Sequence, residues 1–440
     1  MEVTRSNFQA TLPHVADCIS KSDFIAIDTE FTGLHAHKDD GPSFFDSMEE
    51  RYQKLKRFGK AFTICQFGLS AFRKDPKANK YVAHTFNFYL CPRPCGDELT
   101  HFTLQASNVA FLCEHKFNFN KMMHQGIGHL NSQQVESVRS AVSESELEEA
   151  IGFSKVFQLL VDGKKPLMGH NMLNDLALMY EKFHGPLPEH YDDFKQGIHN
   201  LFPVVIDTKN LCFALRKRLY GTKLIEFTSL MDLYEALGSQ RGTYYALCSP
   251  EIVLAEEAQV YSSTKAPHEA GFDAYCVGYV FLRLTHLAAM KGVESSHAHP
   301  VHLRQYFRLV GPFTNKVNLI RGPINCIDLG GPDPAPFRSQ CLSITRKDGQ
   351  PLTVDMLHSE LEYGSMDIRF PTDTTAHVIL STQRRADELL LTSEEGGPFH
   401  VQVYTQGLVA SRNIWKLAMI GVGVVGIVGL SLAKLRTYLN

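Results

Sequence analysis

Five residues, in three stretches far apart in the chain, carry side chains suited to one chemistry. In Phe24-Ile25-Ala26-Ile27-Asp28-Thr29-Glu30-Phe31, two carboxylates stand two apart in the far half of an apolar, strand-forming run. Positions two apart on a strand point to one face, so Asp28 and Glu30 are expected side by side. Ionised acids so placed repel each other and lose hydration unless a cation holds them together. Hard oxygen donors of this kind suit Mg²⁺ or Mn²⁺. Asp175 falls inside the apolar stripe Met172, Leu176, Met179, Phe183 of a helix expected over 172–183, just after the short strand and turn at 166–171. A metal shared with Asp28 would supply the partner that such an acid needs. Asp273 lies in the stripe Ala270, Ala274, Val277, Phe281, Leu284, Ala288 of a helix opening at His268 and running to about 290. His268, just after Pro267, puts a titratable imidazole about one turn from that carboxylate.

The elements that must position these residues belong to a chain of 440 residues, for which two or three domains are expected. A hydrophobic content of 44% and a charged content of 21% describe a globular protein with sizeable cores. The formal net charge of −3 gives no global basic field for nucleic acid or lipid, so an anionic ligand has to be held locally, by metal or by a basic cleft. The ten cysteines are scattered. Cys91 and Cys95, the closest pair, have no second pair and no histidine at a zinc-finger interval, and the set reads as reduced, cytosolic thiols. The first twenty residues hold no secretory signal. Leu417–Ala433 is a run of seventeen uncharged residues between Trp415-Lys416 and the pair Lys434 and Arg436. As a helix it would span about 25 Å, and its flanks can snorkel to reach across a ~30 Å hydrocarbon core. A C-terminal transmembrane anchor over 414–436 is therefore expected, with the rest of the chain in the cytosol.

Along the chain, 1–20 reads as a helix with Phe8, Leu12, Val15 and Ile19 on one side. Residues 35–60 read as a loop and a Lys/Arg-rich amphipathic helix that is either solvated or phosphate-facing. Strands at 62–69 and 81–89 form a hairpin. Helical segments fill 103–130, and 131–150 reads as a polar, acidic, linker-like helix. A strand at 204–209 leads into a helix, 222–237 is a further helix, and 238–250 a loop. A Gly/Pro linker at 330–336 precedes 338–408, where segments alternate β-α-β-β-α-β. That pattern resembles a degenerate RRM without an aromatic platform on its third strand. Phe370 is its one candidate for base stacking, and a scaffold or homodimer surface is the other reading of the module.

Together, Asp28-x-Glu30, Asp175 and His268-x4-Asp273 resemble the three Exo motifs of DEDDh 3′–5′ exonucleases. The segments FIAIDTEFTGL, FNFNKMMHQGI, KKPLMGHNMLNDL, DTKNL and HEAGFDAY resemble the poly(A)-specific ribonuclease branch of that superfamily, over residues 1–335. The resemblance implies an α/β fold: a ribonuclease H-like mixed sheet flanked by helices. It implies that Asp28, Glu30, Asp175 and Asp273 bind two Mg²⁺ or Mn²⁺ ions, with His268 as general base releasing 5′-nucleotides from single-stranded RNA with a free 3′-OH. Phe31, Leu34, Asn171 and Lys209 match positions that contact the RNA 3′ end. Two departures stand out: 131–150 occupies the place of the family's inserted single-strand-binding domain, and the membrane tail is added. Both resemble the PARN-like, membrane-anchored trimmers of PIWI-interacting RNA precursors. That subgroup implies PIWI proteins and a Tudor-domain scaffold as partners, and a tail-anchored place on the mitochondrial outer membrane, or alternatively the endoplasmic reticulum. A general poly(A) deadenylase and a catalytically idle, membrane-tethered RNA adaptor are the competing functions.

Overall fold

In a computed structural model, residues 1–96, 100–263, 265–293, 299–336, 339–361, 366–394 and 397–404 are described. The chain divides into two units, Met1–Pro42 with Asp46–Ala335, and Ser43–Phe45 with the chain from Pro336 onward. The first unit is built on a seven-stranded sheet: β1 (Glu2–Val3), β2 (Phe24–Phe31), β3 (Ile64–Lys74), β4 (Lys80–Tyr89), β5 (Leu167–Gly169), β6 (Val205–Asp207) and β7 (Glu251–Leu254). Its order is β1-β4-β3-β2-β5-β6, with β7 also on β4. The hairpin expected from sequence is the antiparallel β3–β4 pair, and β2 lies antiparallel to β3 with Asp28 opposite Gly68 and Glu30 opposite Gln66. β5 and β6 extend the sheet in parallel. β1 and β7 run end to end along the outer edge of β4, which they cover.

Alternation along β2 sends its side chains into two separate cores. Ile25 and Ile27 pack with Phe67 and Leu69 beneath the helices Phe8–Lys21, Ser154–Gly163 and Leu173–Met179. Phe24 and Ala26 pack with Phe72 against the helix Ala270–Met290 on the opposite face. Eighteen of that helix's 21 residues are buried. The stripe read from sequence is thus only part of its contact surface, because Leu211, Leu233 and Tyr306 of other helices cover its outer side. Two glycines permit its approach to the sheet: a Cβ on Gly68 would lie 1.8 Å from the Ala270 carbonyl oxygen, and one on Gly278 would lie 2.1 Å from the Phe72 ring.

Several expectations change. Residues 131–150 are not one linker-like helix but two short helices, Ser132–Val138 and Glu144–Ile151, each opened by a capping box at Asn131 and Ser143. They enclose a small core of Cys95, Leu130, Val138 and Leu147. The helix expected over 222–237 begins only at Leu230, where the Ser229 side chain accepts the Asp232 N–H. The expected loop at 238–250 contains the helix Gln240–Tyr245. A further hairpin pairs β8 (Lys316–Asn318) with β9 (Cys326–Asp328).

In the second unit, β10 (Leu342–Arg346), a helix Val354–Leu361, β11 (Met366–Thr372), β12 (Thr375–Leu380), a helix Gln383–Glu394 and β13 (Phe399–Val403) follow in order. The antiparallel sheet runs β11-β12-β10-β13, over a core that includes Leu342, Ile344, Leu357, Val378 and Leu380. Phe370 on β11 is 38% exposed. The expected membrane span over 414–436 lies outside the described residues. Among the described residues no helix is long and apolar enough to cross a membrane. The tail-anchored placement in the mitochondrial outer membrane, or in the endoplasmic reticulum, is therefore not supported.

Candidate active site

β2 ends at a bulge between Glu30 and Phe31, which bends the strand where its acids emerge. Asp28 and Glu30 are half-buried on the face covered by the Ala270–Met290 helix. Thr29 points the other way, and its hydroxyl donates to Asp175 Oδ1 at 2.5 Å. Asp175, in the first turn of the Leu173–Met179 helix, therefore reaches the strand end from one side of the sheet. Asp273, in the first turn of the Ala270–Met290 helix, reaches it from the other. Both are buried, at 9% and 6% exposure. The ligating atoms of Glu30, His268 and Asp273 lie within 4.8 Å of one another.

The sheet itself fixes the Ala270–Met290 helix at this point. Its first free N–H groups have no local side-chain cap. Instead, Ala270 N–H donates to Gln66 Oε1 at 2.9 Å and Gly271 N–H to Asn87 Oδ1 at 3.2 Å. Asn87 Nδ2 in turn donates to Glu269 Oε1 at 3.1 Å, an oxygen that also accepts the Tyr261 hydroxyl. Just before the helix, His268 adopts the left-handed region at φ 65°, a conformation costing a non-glycine residue about 1–3 kcal/mol. Its main-chain N–H donates to Asp273 Oδ2 at 2.9 Å. Its ring packs edgewise on Phe111 and His115, at centroid distances of 4.8 and 4.2 Å.

Charge is crowded here. Burial, then the negative charges of Asp273 and Asp175, push the Asp28 and Glu30 carboxyls well above their ordinary range. Burial raises Asp175 to about 6 despite the Thr29 hydrogen bond, and Asp273 to about 7 despite the His268 N–H. Burial and the neighbouring His115 lower His268, which keeps its imidazole neutral at pH 7. Four such acids cannot all ionise near neutrality without a cation. Asp273 Oδ1 is buried and has no hydrogen-bond partner among the described residues, as an oxygen kept for a metal would be. The donor set, four carboxylates and one imidazole, fits hard divalent ions.

Leu34 and Asn171 line one cleft with Phe58, Asn174 and Asn318. Leu34 is 41% exposed, with its N–H on Gln105 Oε1 at 2.7 Å. Asn171, also left-handed at φ 61°, accepts Asn318 Nδ2 at 2.7 Å. Phe31 and Lys209 are not brought into that lining. Phe31 packs behind it, edgewise on Phe58, and its carbonyl accepts Asn108 Nδ2 at 2.6 Å. The basic face expected over 35–60 is largely committed, since Arg51 and Lys54 reach Asp46 and Arg57 reaches Asp40.

Sequence reasoning missed His115, Phe111, Gln66 and Asn87, whose roles arise only across the fold. It also passed over Asp207, although an Asp directly before a helix is a capping signal. Asp207 is buried and accepts five main-chain N–H groups, from Asn171, Met172, Lys209, Asn210 and Asn318. It thereby ties the Asp175 helix and the cleft wall to β6.

A model of the CAF1 family ribonucleases matches residues 3–146 and 139–281. The chain is 30% identical to "Poly(A)-specific ribonuclease PNLDC1" of Mus musculus, over 82% of this chain and 86% of that protein. It is 26% identical to "Pre-piRNA 3'-exonuclease trimmer" of Bombyx mori, over 96% and 97%, and 27% identical to "Poly(A)-specific ribonuclease PARN" of Danio rerio, over 94% and 78%. Among solved structures, S. pombe Pop2p in its Mg²⁺- and Mn²⁺-bound form is 17% identical with a TM-score of 0.42, covering 67% of this chain and 95% of that one.

Proposed function

From the premise that the chain belongs to the CAF1 family of ribonucleases and is a 3′–5′ exoribonuclease, we propose a divalent-metal-dependent trimmer of single-stranded RNA 3′ ends, acting on PIWI-bound precursors of PIWI-interacting RNAs. The single observation that carries the metal dependence is the buried, unpartnered Asp273 Oδ1 within a group of four crowded acids. Asp28, Glu30, Asp175 and Asp273 would hold two Mg²⁺ or Mn²⁺ ions, which when bound offset the phosphate's charge and activate water. His268, neutral at pH 7, takes the proton from the attacking water. Its own N–H holds Asp273 in place, so base and ligand move together. Leu34 offers an apolar surface to the terminal base, and Asn171 a polar edge to its sugar. Hydrolysis then releases a 5′-nucleotide.

We favour trimming over general deadenylation because 132–151 holds only two short capped helices, where the resemblance to the poly(A)-specific ribonucleases implies an inserted RNA-binding domain. A substrate presented by a PIWI protein, with a Tudor-domain scaffold beside it, dispenses with that insert. The test compares decay of oligo(A) and mixed-sequence RNA, each free and PIWI-bound, by wild type and by Asp175→Asn. Shortening of PIWI-bound RNA of either sequence, absent in Asp175→Asn, is expected. Strong adenosine preference on free RNA would make the protein a deadenylase, and RNA binding without decay an idle adaptor.

A further inference from the structure

On the sheet face opposite the Ala270–Met290 helix, four side chains of metal-ligating type converge from three distant parts of the chain. His14 and Cys18 stand one turn apart on the helix Phe8–Lys21, His84 projects from β4, and Glu257 follows β7 in the turn Glu256–Ala258. One ligating atom from each lies within 4.8 Å of all the others. Cys18 Sγ is 3.8 Å from either nitrogen of His14, His14 Nε2 is 3.4 Å from Glu257 Oε1, and His84 Nδ1 is 2.7 Å from the same oxygen. None of these residues belongs to the acid cluster of the nuclease.

We propose that His14, Cys18, His84 and Glu257 form a second metal site, a four-coordinate centre for Zn²⁺. With Zn–N and Zn–O bonds of about 2.0–2.2 Å and Zn–S of about 2.3 Å, the edges of a tetrahedron are roughly 3.3–3.7 Å. The His14–Glu257 separation of 3.4 Å matches those edges, and the sulfur–nitrogen separation of 3.8 Å lies just beyond them. The His84–Glu257 hydrogen bond has to open by less than about 1 Å. Two imidazoles, a thiolate and a carboxylate are a borderline donor set that selects zinc over the hard ions suited to the four acids. The site is formed but not sealed: Cys18 is buried, while the His14 side chain is 43% exposed and leaves a path for the ion.

On binding, the Sγ–H bond of Cys18 breaks, an Sγ–Zn bond forms and the proton passes to water, with no change of oxidation state. Without a cation the thiol is pushed up to about 12 by burial and by the Glu257 charge, a cost that a dication at this point reverses. Such an ion would pin the Phe8–Lys21 helix to β4 and to the turn after β7, and so brace the outer edge of the sheet. The site shares no ligand with the proposed RNA chemistry. Its ligands are spread over more than 240 positions, so no zinc-finger spacing announces them.

Full-length protein, with excess Mg²⁺ present to occupy the four acids, is titrated with Co²⁺ and then with Zn²⁺. Expected is one equivalent of Co²⁺ with a thiolate-to-metal absorption in the near ultraviolet, displaced by Zn²⁺. Cys18→Ser loses that absorption, and His84→Asn weakens Zn²⁺ by more than tenfold, at least the loss that follows from removing a partner outside the ligand shell. Both variants keep 3′-trimming activity, which shows that they fold, and the absorption survives in Asp175→Asn. No thiolate absorption in wild type, its persistence in Cys18→Ser, or its loss in Asp175→Asn would each overturn the proposal.

Discussion

Replacing Gly68 by alanine tests how the four acids are brought together without touching any of them. Gly68 pairs with Asp28 across β2 and β3, and its added Cβ would sit 1.8 Å from the oxygen and 2.1 Å from the carbon of the Ala270 carbonyl. Both are main-chain atoms, so no side-chain rotation relieves the overlap. To reach even ~3 Å, the start of the Ala270–Met290 helix has to withdraw by about 1 Å, at an overpacking cost of ~1–3 kcal/mol. That withdrawal carries Asp273 and His268 with it and strains the Gln66 and Asn87 caps. A displacement of this size at a reacting site costs roughly a hundredfold in rate. Single-turnover shortening of a 5′-labelled RNA in Mn²⁺ is the assay, with urea unfolding alongside. Gly331→Ala, whose Cβ meets nothing within 4 Å, is the control and should behave as wild type. If Gly68→Ala cuts within about threefold of wild type at unchanged stability, the helix is not what sets Asp273, and the reasoning fails.

Thr29→Val removes the side-chain hydroxyl that donates to Asp175 while keeping its shape. Turnover should fall about 10–100-fold, as for lost supporting partners of metal ligands, and Thr29→Ser should restore it; wild-type rates in the valine variant would dissolve the link. The pH dependence follows from acids raised by burial, to about 6 at Asp175 and about 7 at Asp273. Folded, these groups hold protons more tightly than when unfolded, so their contribution is fully present below about pH 4 and lost as pH rises to about 7. Mn²⁺ should cancel that loss: the melting-temperature gap between Mn²⁺ and EDTA is expected to widen from about pH 5 to 8, and a constant gap would count against a cation at these acids. His115→Ala removes a neighbour that lowers His268, so the acidic limb of the rate profile should move to higher pH, whereas an unmoved limb would show that His268 does not govern it.

The legible part of the site was the part written in periodicity. Asp28 and Glu30 were readable because a strand has period two, and Asp175 and Asp273 because an acid inside an apolar helical stripe has to be explained. The sheet was readable at the long strands β2, β3 and β4, and also at β5 and β6, three mostly apolar residues each, which lead into a helix. It was not readable at β1 and β7, which span two and four residues and owe their form to the open edge of β4. Gln66 and Asn87 were invisible for a different reason. They cap a helix about two hundred positions away, so nothing in their own neighbourhood marks them. Asp207 did carry a local signal, as a cap before a helix, but its bonds to Met172 and Asn318 exist only once β5, β6 and β8 are side by side. The stretch at 35–60 left a solvated and a phosphate-facing reading open, because its pairing shows only in the fold, where Asp40 and Asp46 neutralise Arg57, Arg51 and Lys54.

Asp175 and Asp273 come to β2 from opposite sides of the sheet, each carried by its own hydrophobic cluster. The two clusters act as jaws closing on a single strand, and the gap of the proposed site is the distance between them. Slackening in either jaw widens that gap long before the chain melts. Heat or mild denaturant should therefore silence the enzyme while its spectra still read as native, and lost turnover becomes the earliest gauge of damage to either half of the core.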